Sequence, residues 1–207
     1  MNTLDTLFAK SALAPDYFKY YVRYLNRLLT AMDMASVETV VSCFLKARAD
    51  SKTIFFAGNG GSAATASHFA QDLTEVGRKA KVTSFRTVSL TDHISFITAI
   101  ANDYGYEKIF TIQMSELFKP GDVLVAISAS GNSPNVVEAV KYARKLQGVS
   151  IGLVGFDGGK LSTLCDHVVH VKTDEGEYGP VEVVHMILDH MITSYLIMRL
   201  SDKVSND

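Results

Sequence analysis

Two loops rich in glycine and serine each follow a short apolar run and precede a helical pattern. The first, GNGGSA at 58–63, satisfies G-x-G-x-x-[GA], so it could hold a dinucleotide, a sugar phosphate or no ligand. A dinucleotide site also needs an acidic residue about 20 positions on, at the end of the next strand. The nearest acid at a predicted strand end, Asp92, lies too far along. The first loop alone is therefore a weak indication of function.

The second loop, SASGNS at 128–133, carries three hydroxyl groups between a predicted strand and a predicted helix. Pro134 suits the first position of that helix. The free amides and the dipole of a helix N-terminus attract anions, and neutral serine donors suit a phosphate monoester that needs no magnesium. A single serine would be an ordinary cap or turn residue. Three at one junction favour anion binding by Ser128, Ser130 and Ser133.

Two pairs of histidine and carboxylate residues lie at helical spacing. His68 and Asp72 are four residues apart, about 400° around a helix, and share a face. Glu182 and His190 are eight apart, about 80° around the axis, on one broad side of the last predicted helix. Two imidazoles and two carboxylates would suit zinc or another divalent transition metal. Such spacing is also common on solvated helices, so it does not establish a metal site by itself.

The elements that must position these residues follow a regular order. Residues 17–48 have helical periodicity, with Ser36 as a candidate N-cap of a second helix. From residue 53, short apolar β-runs alternate with helices, which predicts an α/β fold with a mostly parallel, doubly covered sheet. We expect a helical segment at 1–50, a main domain at 51–200 that forms one unit with it, and a frayed tail at 201–207. The first helices pack on the sheet or associate between subunits.

Composition limits the partners. The chain has 207 residues, 47% of them apolar, and a formal charge of −2, so no electrostatic argument favours nucleic acid or an acidic membrane. No apolar run approaches the roughly 18–20 residues that span a bilayer, and the first residues lack the order of a signal peptide. Cys43 and Cys165 are far apart and are expected to be reduced thiols. We predict a cytoplasmic protein with no membrane or nucleic-acid partner.

Four segments carry a family resemblance: GNGGSA, TAIANDYGY at 98–106, PGDVLVAISASGNSPNVVEA and LVGFDGGKLSTLCD. Together they resemble the sugar isomerase (SIS) domain, and more closely the phosphoheptose isomerases, which convert sedoheptulose 7-phosphate to a heptose 7-phosphate aldose. The likeness extends over roughly 20 to 200. It implies a three-layer, flavodoxin-like α/β domain whose N-terminal helices mediate oligomerisation. It also implies a homotetramer with sites between subunits, so the two His/carboxylate pairs may come from different chains.

The resemblance also implies roles for particular residues. In the family the serine loop grips the sugar phosphate, while the first loop lies beside the sugar. The corresponding substrate-binding residues in this chain are Asn59, Gly60, Ser62, Asp103, Ser128, Ser130 and Ser133.

The resemblance assigns acid/base and metal roles to the two pairs. In the family, the helix after the first loop supplies His and Glu, and the last helix supplies Gln and His. Zinc is associated with these four residues. This chain has Asp72 for the Glu and Glu182 for the Gln, so its catalytic pair is altered. We expect carboxylate function to have partly moved to Glu182, with Asp72, Glu182 and His190 catalytic. The expected metal ligands are His68, Asp72, Glu182 and His190, with zinc or another divalent ion as the cofactor.

The predicted function is therefore metal-assisted ketose–aldose isomerisation of a phosphorylated sugar through an enediol. The alternative is a non-catalytic SIS protein that binds a phosphosugar or a protein partner such as the replication initiator. A dinucleotide oxidoreductase is a distant third. On the last helix, His185 is expected to be packed among apolar residues. Asp189 falls on Glu182's side, where it could hydrogen-bond to a metal ligand, but it is expected to be a solvated carboxylate.

Overall fold

A five-stranded parallel sheet forms the centre of the computed structural model, which describes residues 2–204. Its strands are β1 Thr53–Gly58, β2 Arg86–Ser89, β3 Val123–Ser128, β4 Val149–Val154 and β5 His167–His170. Their spatial order is β2-β1-β3-β4-β5, and every neighbouring pair is parallel. The three central strands, β1, β3 and β4, are rich in Val, Ile, Leu and Phe, as strands buried on both faces must be.

Nine α-helices connect and cover these strands in the described part of the chain. They are α1 Thr3–Ala9, α2 Ala14–Thr30, α3 Met34–Ala49, α4 Gly61–Ala80, α5 Ile94–Tyr104, α6 Thr111–Leu117, α7 Pro134–Lys145, α8 Leu161–Leu164 and α9 Tyr178–Val204. A short 3-10 turn, Tyr106–Lys108, lies between α5 and α6. The strand order is that of flavodoxin-like sheets, which confirms the predicted fold class.

Each face of the sheet has its own apolar core. On one face, α2, α3, α4 and α9 contribute residues such as Leu28, Phe44, Phe69 and Leu188. On the other, α5 to α8 pack residues such as Met114 against the strands. The three layers are therefore helices, sheet and helices. The N-terminal helices α2 and α3 belong to the first core cluster and pack on the sheet of their own chain.

Two local predictions are wrong. The N-cap of α3 is Asp33, not Ser36, because the Asp33 carboxylate accepts a hydrogen bond from the Ala35 amide at 3.0 Å. Ser36 lies in the first turn, where its hydroxyl donates to Asp33. The predicted frayed tail at 201–207 begins too early, since α9 continues to Val204. The rest of that tail, 205–207, lies outside the described residues.

The last helix is the longest element and passes through the core. By length and mean hydropathy, Tyr178–Ser201 could cross a membrane, yet 44% of the window is buried inside the fold. A buried carboxylate just before this helix, Glu177, ties it to the N-terminus. Its oxygens accept the Tyr24 hydroxyl and, at 3.1 Å, the Leu4 amide. This contact holds α1 and α2 against the start of α9.

Candidate functional site

The two loops singled out in the sequence lie side by side at the carboxyl edge of the sheet. β1 pairs with β2 on one side and with β3 on the other, so the strand order reverses between β1 and β3. Gly58, at the end of β1, is in register with Ile127 near the end of β3. Ligands in open parallel sheets bind at such a reversal, outside the carboxyl ends of the strands. The topology therefore brings both loops to one crevice.

The serine loop gathers its three hydroxyl groups at the start of α7. Ser128 Oγ lies 3.1 Å from Ser133 Oγ and 3.4 Å from Ser130 Oγ. Ser133 is the N-cap residue of α7, but its side chain makes no capping hydrogen bond. Gly131 adopts φ +62°, and a Cβ there would lie 2.6 Å from the Gly158 carbonyl carbon. The loop is thus folded tightly, with hydroxyl donors left available beside a helix N-terminus.

The first loop is held by a pair of asparagines. Asn59 and Asn135 exchange amide hydrogen bonds of 2.9 and 2.8 Å. The Tyr106 hydroxyl also donates to Asn59, at 2.9 Å. Asn135 is buried and belongs to the first turn of α7, so this network joins the first loop to the helix that follows the serine loop. Beyond Asn59, Gly60 is the exposed N-cap residue of α4 and Ser62 is buried in its first turn.

Glu182 lies at the same edge of the sheet. Its carboxyl group stands against the first turn of α4, where a Cβ on Gly61 would come within 2.5 Å of Glu182 Oε1. The preceding residue, Val181, packs against Gly155 after β4, beside the Ala129 carbonyl of the serine loop. Partial burial raises the pKa of the Glu182 carboxyl above its ordinary value. A partly buried carboxylate with a raised pKa, at the carboxyl edge of the sheet, is suited to accept and return a proton.

A group of two histidines and two aspartates lies between α4 and α9. His68 Nε2 is 3.0 Å from His190 Nε2 and 3.5 Å from Asp72 Oδ2. The fourth member is Asp189, whose Oδ2 lies 3.9 Å from His68 Nε2. One ligand atom from each residue lies within 4.8 Å of all the others. The structure therefore brings together three of the four predicted metal ligands, His68, Asp72 and His190. It places Asp189, rather than Glu182, beside them.

Asp189 departs most from the sequence-based expectation. It is fully buried, so the prediction of a solvated carboxylate is wrong. Neither of its carboxylate oxygens has a hydrogen-bond partner among the described residues. Burial and, secondly, the negative charge of Asp72 raise the pKa of Asp189 to about 7. The only signal in the sequence was its position seven residues after Glu182, which puts both on one side of α9.

The cluster is formed within one chain. α4 supplies His68 and Asp72, and α9 supplies Asp189 and His190, with direct contacts between the helices. The expectation that the two His/carboxylate pairs come from different chains is therefore wrong for this group. Asp103, in contrast, is exposed in the last turn of α5, where its carboxylate accepts the Asn102 amide at 2.8 Å. His185 is fully buried, as predicted.

The donor chemistry of the cluster fits a divalent transition metal. Imidazole nitrogens and carboxylate oxygens are ordinary zinc ligands, and four of them satisfy a tetrahedral ion. No donor in the described chain reaches the buried Asp189 carboxylate, so a cation at this position would supply the missing partner. His68 and His190 would each keep one nitrogen for the ion and one for a neighbouring acceptor or water.

Comparison with known proteins gives a consistent result. The family model described as the SIS domain matches residues 16–155. The chain is 42% identical over 149 residues to the phosphoheptose isomerase of Aliarcobacter butzleri, covering 72% of this chain and 77% of that protein. It is similar to a solved phosphoheptose isomerase from Neisseria gonorrhoeae, with TM-score 0.73, 33% identity, and 87% and 94% of the two chains covered. A Francisella tularensis phosphoheptose isomerase at 23% identity shares the fold, with TM-score 0.79 over 96% and 100% of the chains.

Proposed function

The chain belongs to the SIS-domain family, among its phosphoheptose isomerases, and from this premise we propose that it converts sedoheptulose 7-phosphate to a heptose 7-phosphate aldose. The observation that carries the proposal is the position of the Glu182 carboxyl group against Gly61, in the first turn of the helix that follows the first loop, at the edge of the sheet where the serine loop also lies. A proton-transfer group and a phosphate grip thus share one edge of the sheet. The reaction moves hydrogen within one molecule and needs no external oxidant or reductant.

We assign the phosphate to the serine loop. Ser128, Ser130 and Ser133 offer converging hydroxyls, and the amides at the start of α7 add the positive end of a helix dipole. Asn59, Gly60 and Ser62 would then line the sugar at the adjacent first loop. The reciprocal bonds between Asn59 and Asn135 would fix the Asn59 amide for that contact.

We assign the carbon-bound proton to Glu182. In the ketose-to-aldose direction a base removes a proton from C1, an enediol forms, and a proton is returned to C2. Burial favours the neutral form of Glu182 and so raises its basicity, which suits this exchange near neutral pH. This role agrees with the proposed shift of carboxylate function from Asp72 to the last helix.

Asp72 and His190 would act on the oxygen side of the reaction. Helical side chains lean toward the N-terminus, so those of Asp72 and His190 point back along α4 and α9 in the direction of Glu182. There they would hold a proton or bind a divalent ion together with His68. When bound, zinc would stabilise negative charge on the sugar oxygens as a Lewis acid.

The oligomer and the location of the protein form part of the same proposal. Large apolar side chains remain exposed on the N-terminal helices, including Phe8, Phe18 and Val22 at 73%, 62% and 63%. Such a surface suits association with other subunits, and we propose a homotetramer in which exposed Asp103 completes a neighbouring site. Cys43 and Cys165 are both free thiols, which suits a reducing cytoplasm.

The direct test is incubation with sedoheptulose 7-phosphate, with and without zinc, followed by detection of the aldose. We expect turnover by the wild-type protein and loss of turnover in Glu182→Gln, which keeps the size of the side chain. The turnover of Asp72→Asn is measured alongside, because Asp72 and Glu182 are the two positions at which this chain differs from the family's Glu and Gln. Stabilisation by the sugar phosphate without turnover would instead favour a binding protein. Full activity in Glu182→Gln would remove the base role from that residue.

A further inference from the structure

The Glu182 and Asp189 carboxylates of α9 meet α4 at two different points along its length. Glu182 stands against Gly61, and Asp189 lies 3.9 Å from His68. Gly61 and His68 are seven residues apart on α4, and Glu182 and Asp189 are seven residues apart on α9. The two contacts therefore lie about 10 Å apart along the helix axes. The packing of α4 against α9 therefore places Glu182 at the edge of the sheet and Asp189 two helical turns further along.

Among residues 2–204, Asp189 has no hydrogen bond that would give its side chain a structural role. It is fully buried, and both of its side-chain oxygens lack a donor. Its charged neighbour Asp72 is another acceptor, 21% exposed, so the two carboxylates repel one another. A buried carboxylate without a donor is costly unless a cation or a proton satisfies it. Imidazole is a common metal ligand, and the ring nitrogens of His68 and His190 lie beside this carboxylate.

We propose that Asp189 is the fourth ligand of a divalent-metal site formed with His68, Asp72 and His190, and that Glu182 is not a ligand but is left free for the sugar. This inference rests on the proposed isomerase function for the role of Glu182, but not for the metal site itself. Compared with the ligand set expected from the resemblance, Asp189 takes the place of Glu182. All four ligands come from a single chain, so the metal binds each subunit without a contribution from its neighbour.

The proposal predicts opposite effects for substitutions of Glu182 and of Asp189. Asp189→Asn removes an anionic ligand and leaves a side chain of the same size. It should weaken metal binding at least about 10- to 100-fold, the loss seen when even outer partners of metal ligands are removed. Glu182→Gln should change metal affinity by less than about threefold while it abolishes most turnover. Asp72→Asn is the positive control, because both ligand sets include Asp72.

Titration of metal-free protein with cobalt, followed by its visible absorption and then by zinc competition, tests this without any substrate. Loss of the cobalt spectrum in Asp189→Asn and its retention in Glu182→Gln would support the assignment. The reverse pattern would overturn it, as would wild-type affinity in Asp189→Asn or no cobalt binding by the wild type. Isomerisation of sedoheptulose 7-phosphate is measured separately, so failure of the metal assignment is distinct from failure of the proposed function.

Folding of the key variant is checked by its metal-free melting temperature. Asp189→Asn replaces an unpartnered buried carboxylate by a neutral amide and should melt at or above the wild type without metal. Zinc should then raise the melting temperature of the wild type and of Glu182→Gln, but not that of Asp189→Asn. A zinc-dependent rise of equal size in all three proteins would overturn the proposal.

Discussion

The Glu182 carboxyl group fills the space that a side chain on Gly61 would need: a Cβ on Gly61 would lie within 2.5 Å of Glu182 Oε1. Gly61→Ala should therefore push the carboxyl group away from the sheet edge and leave the helix intact, because Ala is favoured over Gly in a helix by up to about 1 kcal/mol. A displacement of about 1 Å at a catalytic group can cost on the order of 100-fold in rate. We expect kcat to fall by about 10- to 100-fold in steady-state assays with unchanged or higher thermal stability.

Gly77→Ala provides the matched control on the same helix. A Cβ on Gly77 would lie 2.7 Å from the backbone nitrogen of Ser84, which cannot move like the end of a side chain. This variant should lose about 1–3 kcal/mol of stability from overpacking and keep the kcat of its folded fraction. If Gly61→Ala lost stability and kept its kcat, the placement of Glu182 at the reacting carbons would be wrong.

Ser133 allows phosphate binding to be separated from helix capping. Its hydroxyl makes no capping bond to α7, although it lies 3.1 Å from Ser128 Oγ. Ser133→Ala should therefore leave the melting temperature within about 2 °C of wild type. Loss of one hydrogen bond to a charged phosphate, about 1.5–3 kcal/mol, should raise KM for the sugar phosphate by roughly 10-fold or more.

Ser115→Ala is the control for this prediction, because Ser115 is an exposed serine of α6 whose hydroxyl donates to the Ile112 carbonyl. It should change neither KM nor kcat. Inorganic phosphate should inhibit the wild type more strongly than Ser133→Ala. Equal inhibition of both would place the phosphate elsewhere.

Local patterns were enough to predict the fold and the two loops. The apolar runs that end at Gly58 and Ser128 are the strands β1 and β3, and a short loop leads from each to a helix. Once the strands are parallel, topology alone brings their ends to one edge of the sheet. The His68/Asp72 pair was also predictable, because a four-residue separation on one helix is fixed by helical geometry.

Residues that depend on packing between distant elements could not be predicted in this way. The burial of Asp189 results from the contact of α4 with α9, which no periodicity of α9 reveals. The carboxylate of Glu177 meets Tyr24, 153 positions away in the sequence. At α3, two residues with N-cap chemistry compete, and the closer fit of Asp33 to the Ala35 amide decides the outcome.

The contact between Tyr24 and Glu177 should stabilise the N-terminal helices. The Tyr24 hydroxyl donates to a fully buried carboxylate, and burial together with this bond raises the pKa of Tyr24. Tyr24→Phe would leave one oxygen of Glu177 without its donor. We expect a loss of about 1.5–3 kcal/mol in urea denaturation, since hydrogen bonds to charged groups have this magnitude. Tyr195→Phe, at a tyrosine that is 53% exposed, should have little effect. Equal midpoints for the two variants would contradict the stabilising role.

Buried His185 should make the protein sensitive to mild acid. Its Nε2 lies 3.4 Å from the Val154 carbonyl, and its Nδ1 has no partner among the described residues. Burial lowers the pKa of His185 from 6.5 to about 4. Between these values the unfolded chain binds a proton that the folded chain does not. The stabilising contribution is therefore complete above about pH 6.5 and is lost as pH falls toward 4.

Between about pH 7.5 and pH 5 this difference in pKa corresponds to a loss of about 2 kcal/mol. Asp189 acts in the opposite sense: burial raises its pKa to about 7, so its protonation favours the folded state as pH falls. That contribution is present in wild type and in His185→Gln alike, and the comparison between the two isolates His185. Metal-free His185→Gln should therefore lose about 2 kcal/mol less than the wild type over this range in urea denaturation. Parallel pH profiles for the two proteins would show that His185 takes up its proton in the folded state as readily as in the unfolded chain.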